Sequence, residues 1–499
     1  MTVSLKNETG LLAKHSLIYG LGNLMNRIIA LLLLPIYTRF LTPTDYGVKE
    51  LVGLTTDVIG ILLATAISSA IHRFYFEYES QKDRHEVISS AIITIGCFGL
   101  VAVLLLSMTT KTLAFYILDS ANLYHYFLIS FASLWFSSLN EVGNNYFRAT
   151  QQSLKYILLS FSKLILALSL NIYFICYLKY GVLGILYSTL LSSMVMSCVI
   201  LFPIVKTTGL KFSKEKIKQM LKFGLPMIPS QLGAFVVHLS DRFFIKAYCS
   251  IADAGLYSLG YRFGTLPSTF ISGPFNQTWL PRRFQLYKEE GAEKVFGKIF
   301  TYFLALMAFA SLAVAALTKE VLMVMAAESF WGAYTIVPII VLASTVFSFH
   351  YHLNMGILIT KKTKYLAYIN FSNGLFVLVL NFLLIPKYGV YGAAYATLIA
   401  FVYKIGLTYY FSRKYYKIYF EAYRIFKIIL SACLIYLATY YIYFDHIIVS
   451  FAVKMVLICI YPALLFILGF FTEEEKLAIL RVLLKMNAKI FKSKLPFLK

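Results

Sequence analysis

KYGVLGILYSTLLS at residues 179–192 returns as KYGVYGAAYATLIA at 387–400, with eight of fourteen positions identical and a spacing of 208 residues. A pattern repeated at that distance constrains the whole architecture, so it comes before any local feature. Its surroundings are strongly apolar. Hydrophobic residues make up 59% of the 499-residue chain and charged residues 14%, against about half and about a quarter in an ordinary soluble chain. Runs such as IIALLLLPIY (28–37) and LFVLVLNFLLI (375–385) recur along the entire length. Crossing the hydrocarbon takes roughly 20 mostly apolar residues, and breaks between the apolar stretches delimit about fourteen such spans. The chain reads as an all-α, polytopic membrane protein. Its first apolar segment begins near Leu11, lacks an A-x-A site and continues past residue 30, which predicts a retained span rather than a cleaved signal.

Lysine and arginine orient the spans, because cytoplasmic connections retain positive charge. With the N-terminus inside, the inner segments hold 33 of the 46 basic residues and the outer connections seven, Lys49 among them. Both termini are therefore expected in the cytoplasm, and the net charge of +23 follows from topology rather than from nucleic-acid binding. Lys179 and Lys387 open spans six and twelve. Six crossings separate them, so the two copies run in the same direction, as parallel repeats do. PTDYG (43–47) answers IADAG (251–255), and QQSLKY (151–156) answers KKTKY (361–365). The expected layout is a six-helix lobe (1–205), a basic cytoplasmic linker (206–222), a second six-helix lobe (223–411), two additional transmembrane helices (412–471) and a cytoplasmic tail (472–499). The tail opens with Thr472 and Glu475 at capping-box spacing. Leu477, Leu480, Leu483 and Leu484 then recur at helical intervals among basic residues, which predicts an amphipathic helix on the anionic inner leaflet.

Catalytic signatures are missing. There is no G-x-x-x-x-G-K-[ST] loop, G-x-S-x-G, H-E-x-x-H or Cys/His cluster. Cys97, Cys176, Cys198, Cys249, Cys433 and Cys459 read as small buried apolar residues without a disulfide framework. His350 and His352 stand at alternate positions and point to different faces of a helix. With short outer connections and no cofactor or metal motif, transport is favoured over enzymatic work.

Charges inside spans carry the functional signal, since each costs several kcal/mol unless a partner or a wet cavity receives it. Arg27, Asp57 and Arg262 lie deepest and are the expected substrate-binding cavity residues; an Arg27–Asp57 ion pair is the structural alternative. Lys163, Arg242 and Lys404 are further cavity cations, although Lys163, Lys404 and Lys454 are near enough to span ends to snorkel. Asp57, Glu141 and Asp241 are candidate ion-coupling carboxylates, and Asp241 and Arg242 are also placed to pair with each other. Six in-span cations against three carboxylates favour an anionic substrate. Arginine suits phosphate in particular, through its planar fork.

GLGNLMNRIIALLLLPIYTRFLTPTDYGVKEL near the N-terminus, FGLPMIPSQLGAFVVHLSDRFFIKAYCSIADAGLYSLGYRFG at mid-chain and the paired KYGVxGxxYxTL segments resemble the Wzx-type oligosaccharide flippases. These are the polysaccharide transporters of the multidrug/oligosaccharidyl-lipid/polysaccharide (MOP) exporter superfamily. The resemblance implies two six-helix lobes in a V around a central cavity, plus two further helices. It also implies alternating access that moves an undecaprenyl-pyrophosphate-linked oligosaccharide between leaflets of the bacterial cytoplasmic membrane, for O-antigen or capsule export. A polysaccharide polymerase and assembly proteins are the implied partners. A lipid II flippase and a multidrug/cation antiporter of the same superfamily are the alternatives. In lipid II flippases the two extra helices help form a groove for the lipid tail; simple lateral packing is the other reading here.

Overall fold

A computed structural model describes residues 33–442 and 444–477, and no strand occurs among them. The first repeat contains α1 (Leu34–Phe40), α2 (Pro43–Glu77), α3 (Gln81–Ile93), α4 (Gly99–Ser107), α5 (Thr110–Leu118), α6 (Tyr124–Ala149), α7 (Ser153–Ile172) and α8 (Val182–Thr208). The second contains α9 (Lys214–Gly224), α10 (Ile228–Leu239), α11 (Asp241–Tyr248), α12 (Ile251–Gly264), α13 (Gly273–Leu286), α14 (Ala292–Met325), α15 (Val337–Ser348), α16 (His350–Leu353), α17 (Met355–Ile359) and α18 (Lys364–Arg413). Two more helices follow, α19 (Ala422–Tyr441) and α20 (Ile447–Ile467). Ten helical runs among the described residues are long and apolar enough to cross a membrane. One of them, α18, passes through two of the expected spans and bends at Gly389.

The opening repeat acquires a physical explanation at its glycines. Gly181 and Gly389 adopt nearly the same left-handed conformation, φ 54° with ψ −128° and φ 56° with ψ −134°. A side chain disfavours that region and glycine does not. Three residues on, the next helix presses against the end of the one before. A Cβ at Gly184 would stand 3.1 Å from Phe174 Cβ, and one at Gly392 only 2.3 Å from the Leu384 carbonyl oxygen. The duplicated motif therefore builds one tight turn in each repeat.

The paired PTDYG and IADAG segments are equally structural. Thr42 caps α2 by accepting from the Asp45 amide at 3.1 Å, while Asp45 accepts from the Thr42 amide at 3.0 Å. At the same 208-residue offset, Ser250 caps α12 by accepting from the Asp253 amide at 3.0 Å. Both caps satisfy donors that a helix start leaves free. Just beyond them α2 crosses α12, and the crossing is backbone on backbone. A Cβ at Gly47 would meet the Ile251 carbonyl at 1.9 Å and one at Gly255 the Pro43 carbonyl at 2.3 Å. Small residues permit such approaches between membrane helices.

A second joint holds the repeats together near the other end of α2. Here α9 lies on the first repeat, with Gly224 so close to Ala66 that a Cβ would be 1.8 Å from its carbonyl oxygen. Lys216 extends from α9 to Asp83 at 2.8 Å and Glu86 at 2.5 Å. Residues 214–222, read from sequence as part of a linker, thus form a docked helix.

The last two helices pack laterally on α14. Lys454 of α20 is buried against Glu320 at 2.5 Å, and Ser450 donates to the same carboxylate at 2.8 Å. Past α20, Glu475 accepts from the Thr472 amide at 3.0 Å and pairs with Arg424 at 3.0 Å and Lys298 at 2.9 Å. Burial pulls its carboxyl upward, but the hydrogen bonds from Lys298, Tyr302 and Thr472 and the field of Arg424 outweigh this and hold it down at about 2. A depressed carboxyl stabilises above its unfolded value and loses that contribution as pH falls through the folded one. Attachment of residues 472–477 is thus expected to be constant from neutral pH to about 4.5 and to weaken between there and about 2. Pepsin cleavage near residue 470 should rise across that window, and Glu475→Gln should be cut readily throughout. The remainder of the expected amphipathic tail lies outside the described residues.

One expectation is corrected. Cys97, Cys198, Cys249, Cys433 and Cys459 are exposed and Cys176 is half-buried, all as free thiols. In a bilayer an apolar side chain facing outward meets hydrocarbon, so a small apolar residue in a span need not turn inward.

Candidate functional site

The crossing of α2 and α12 sets the geometry of a charged cluster. Lys49 and Glu50 lie within a turn of Gly47 on α2, and Arg262 lies two turns beyond Gly255 on α12. Arg262 donates from Nη2 to Glu50 Oε1 at 2.8 Å, and Lys49 Nζ reaches the same oxygen at 2.6 Å. The Tyr46 ring lies beneath both cations, 5.8 Å from the Arg262 guanidinium carbon and 5.0 Å from Lys49 Nζ. Two cations share one carboxylate, and the contact bridges the two repeats. The Glu50 side chain is 15% exposed, whereas that of Arg262 remains 43% exposed. A guanidinium held on one edge and open on the other can accept a second anion through its planar fork.

The helix bearing Arg262 continues as a polar surface. A π-turn at Ser268–Ser272 leads into α13, and a pocket of about 380 Å³ is lined by Thr269, Ser272, Asn276, Gln277, Arg283 and Tyr351 among others. Arg283 is buried. It donates to Asn354 Oδ1 at 3.0 Å and to the Tyr351 carbonyl, and forms none of the ion pairs among the described residues. π-turns re-aim side chains and recur at functional sites. Here the turn lies between Arg262 and Arg283 along the chain.

The other residues singled out from sequence are distributed as follows. Asp57, two turns along α2 from Glu50, is exposed and belongs to none of the ion pairs among the described residues. Asp241 and Arg242 turn toward each other at 2.5 Å inside the second repeat. Tyr257 donates to Asp241 at 2.6 Å, and Arg242 donates to the His238 carbonyl at 2.7 Å. Their side chains are 4–5% exposed, so this pair is part of the lobe's interior. Glu141 receives Arg148 at 2.5 Å, and its field reaches Lys163, which is half-buried. Lys404 is buried with its ammonium 4.8 Å from the Phe347 ring centre. His350 meets Thr408 at 3.2 Å, while His352 is enclosed by Phe275, Phe300 and Phe303. Arg27 lies outside the described residues. Among the described residues no cluster of His, Cys, Asp or Glu is placed to hold a metal ion.

Lys49, Glu50 and Arg283 are the members that reading the sequence missed. By sequence Lys49 falls in an outer connection, and Glu50 follows the motif PTDYG too closely to register as an in-span charge. The available signal was the capping box at Thr42, which starts the helix at Pro43 and so places Lys49 and Glu50 nearly two turns inside it.

Comparison with known proteins places this architecture. A lipid II flippase, MurJ, in an inward closed conformation superposes with a TM-score of 0.72 at 15% identity, covering 90% of this chain and 99% of that one. An inward-facing multidrug resistance MATE transporter of the MOP superfamily gives 0.62 at 17% identity, covering 82% and 99%. In sequence, an Lsg locus protein of Haemophilus influenzae is 23% identical over 294 residues, which is 56% of this chain and 67% of that protein. The pattern of one family matches residues 12–287, more than half of the chain and including Lys49, Glu50, Arg262 and Arg283. By that match, this multi-pass membrane protein belongs to the polysaccharide biosynthesis protein family.

Proposed function

We propose that the chain is a flippase that moves an undecaprenyl-pyrophosphate-linked oligosaccharide repeat unit from the inner to the outer leaflet of the bacterial cytoplasmic membrane, with both termini in the cytoplasm. The observation that carries this reading is the cluster of Lys49, Glu50 and Arg262. It has a surplus positive charge and an open guanidinium edge, with Lys49 and Glu50 in one repeat and Arg262 in the other, which must move against each other. Arg283 receives the pyrophosphate near the membrane surface and Arg262 receives it at mid-depth. The hydroxyls and carboxamides between them bond the sugars. Glu50 holds Arg262 when no substrate is present, and the pyrophosphate displaces it. The exchange loosens the contact between α2 and α12 and lets that end of the cavity open. Arg27, near the middle of the first span expected from sequence, serves as a further phosphate ligand. Asp57, outside the described ion pairs, is the coupling carboxylate; Asp241 and Glu141 already hold arginines.

Translocation of lipid II is the second reading, supported by the likeness to a lipid II flippase, since that substrate is also a lipid pyrophosphate. A cation antiporter fits less well, because the exposed surplus is positive. The test uses sealed vesicles reconstituted with the full chain and a fluorescent undecaprenyl-pyrophosphate oligosaccharide, read by a membrane-impermeant quencher. The protein should speed the appearance of label on the far leaflet at least tenfold over empty vesicles. A rate equal to that of empty vesicles would refute the reading.

A further inference from the structure

A second cavity lies away from the pocket that Arg283 lines. It is an apolar groove of about 560 Å³ in the first repeat, walled by Leu63 and Ile67 of α2, Phe98 and Val103, Trp135 of α6, and Ile217 of α9. A π-turn at Thr94–Phe98 shapes its floor. Such a turn leaves carbonyls poorly paired, and Trp135 answers by donating its indole N–H to Ile95 and Gly96 at 3.2 and 3.0 Å. That bond satisfies the backbone and leaves the wall hydrocarbon. Phe98, 65% exposed, marks the groove's open side.

Only one end is charged. Lys214 lines it as the first residue of α9, after the Ser213 cap, and belongs to none of the described ion pairs. Lys216 on the same helix takes up Asp83 and Glu86, while Glu215 stands next to Lys214 in the first turn. Lys214 and the N-terminus of an 11-residue helix both favour an anion at that spot. One apolar channel ending in one cationic mouth complements an amphiphile with a single long chain and an anionic head. A glycerophospholipid brings two chains, of which one would remain outside.

We infer that this groove holds the polyprenyl chain of the lipid-linked substrate as it loads, with its phosphate end at Lys214 before the pyrophosphate passes to Arg283. The inference rests on the function proposed above. It places the chain in the first repeat, on the opposite lobe from α19 and α20, which pack on α14. One wall of the groove, α9, belongs to the second repeat and reaches the first through the Gly224–Ala66 contact. A bound chain therefore favours the arrangement in which α9 stays docked, since a ligand shifts an equilibrium toward the state it binds better.

The experiment reads binding and not transport, so its outcome is separate from that of the vesicle assay. The full chain in phospholipid nanodiscs is irradiated with a photoreactive polyprenyl monophosphate, and labelled peptides are identified by mass spectrometry. The label is expected within residues 94–103 or at Trp135, reduced at least tenfold by excess undecaprenyl phosphate. Ala102→Trp, which fills the groove, should reduce it tenfold, and Lys214→Glu severalfold, while Lys214→Arg retains it. Labelling confined to α19 and α20, or equal labelling and competition by a photoreactive phosphatidylglycerol, would overturn the inference. Should Ala102→Trp fail to fold, the position of the label in the unmodified chain decides alone.

Discussion

Arg262→Gln should insert and fold normally yet export at least tenfold less polymer per molecule. The guanidinium is fastened on one edge by Glu50 at 2.8 Å while its side chain stays 43% exposed, so glutamine removes the charge without emptying a packed core. A hydrogen bond to a charged group contributes about 1.5–3 kcal/mol, which corresponds to roughly 10- to 150-fold in binding or rate. Arg262→Lys should recover part of the loss, since it restores charge without the planar fork. Exchanging the pair, Glu50→Arg with Arg262→Glu, separates two roles. A mere latch between repeats would work again after the exchange, whereas a phosphate ligand would not, because its cation would then sit on the other helix. Export should stay low in the exchanged variant. Arg27→Gln is expected to resemble Arg262→Gln, and a stable double variant with normal export would remove both residues from the substrate path.

Gly255→Val and Gly224→Val should bias the transporter in opposite directions. Each glycine allows a backbone approach that a Cβ would block, at 2.3 Å from Pro43 in one joint and 1.8 Å from Ala66 in the other. The two joints lie toward opposite ends of α2. Overpacking costs about 1–3 kcal/mol. Borne by only one of two conformations, that cost shifts their populations roughly 5- to 150-fold. Spin labels at Lys179 and Lys387, on the turns of the two repeats, should move apart in Gly255→Val and stay in place in Gly224→Val. Labels at Lys155 and Lys288 should show the reverse. Identical distance distributions in both variants would mean that neither joint gates access.

These two joints also show what could be read from the sequence. The repeat at 179 and 387 was legible because glycine is required there twice, for a left-handed turn at Gly181 and Gly389 and for close packing at Gly184 and Gly392. The likeness of PTDYG to IADAG was visible too, but not that the two segments cross each other. Hydropathy marks a helix as apolar and is silent on which faces meet lipid and which meet protein, since both are apolar surroundings. The exposed cysteines and the docking of α9 were hidden for that reason.

Charges were read by depth alone. That singled out Arg262 and passed over Glu50, its partner 212 positions away. Likewise Lys454 was read as a snorkelling side chain, although Glu320 receives it 134 positions earlier. Partnerships at such separations arise from helix crossings, and local spacing does not encode them.

The most direct test of the central claim is to delete the gene in its host and analyse the polyprenyl-linked intermediates by mass spectrometry. The account predicts an undecaprenyl-pyrophosphate carrying a complete polysaccharide repeat unit, accumulated on the inner leaflet, with surface polymer lost and cells intact. Accumulated lipid II with cell lysis, or an unchanged pool of intermediates, would contradict it.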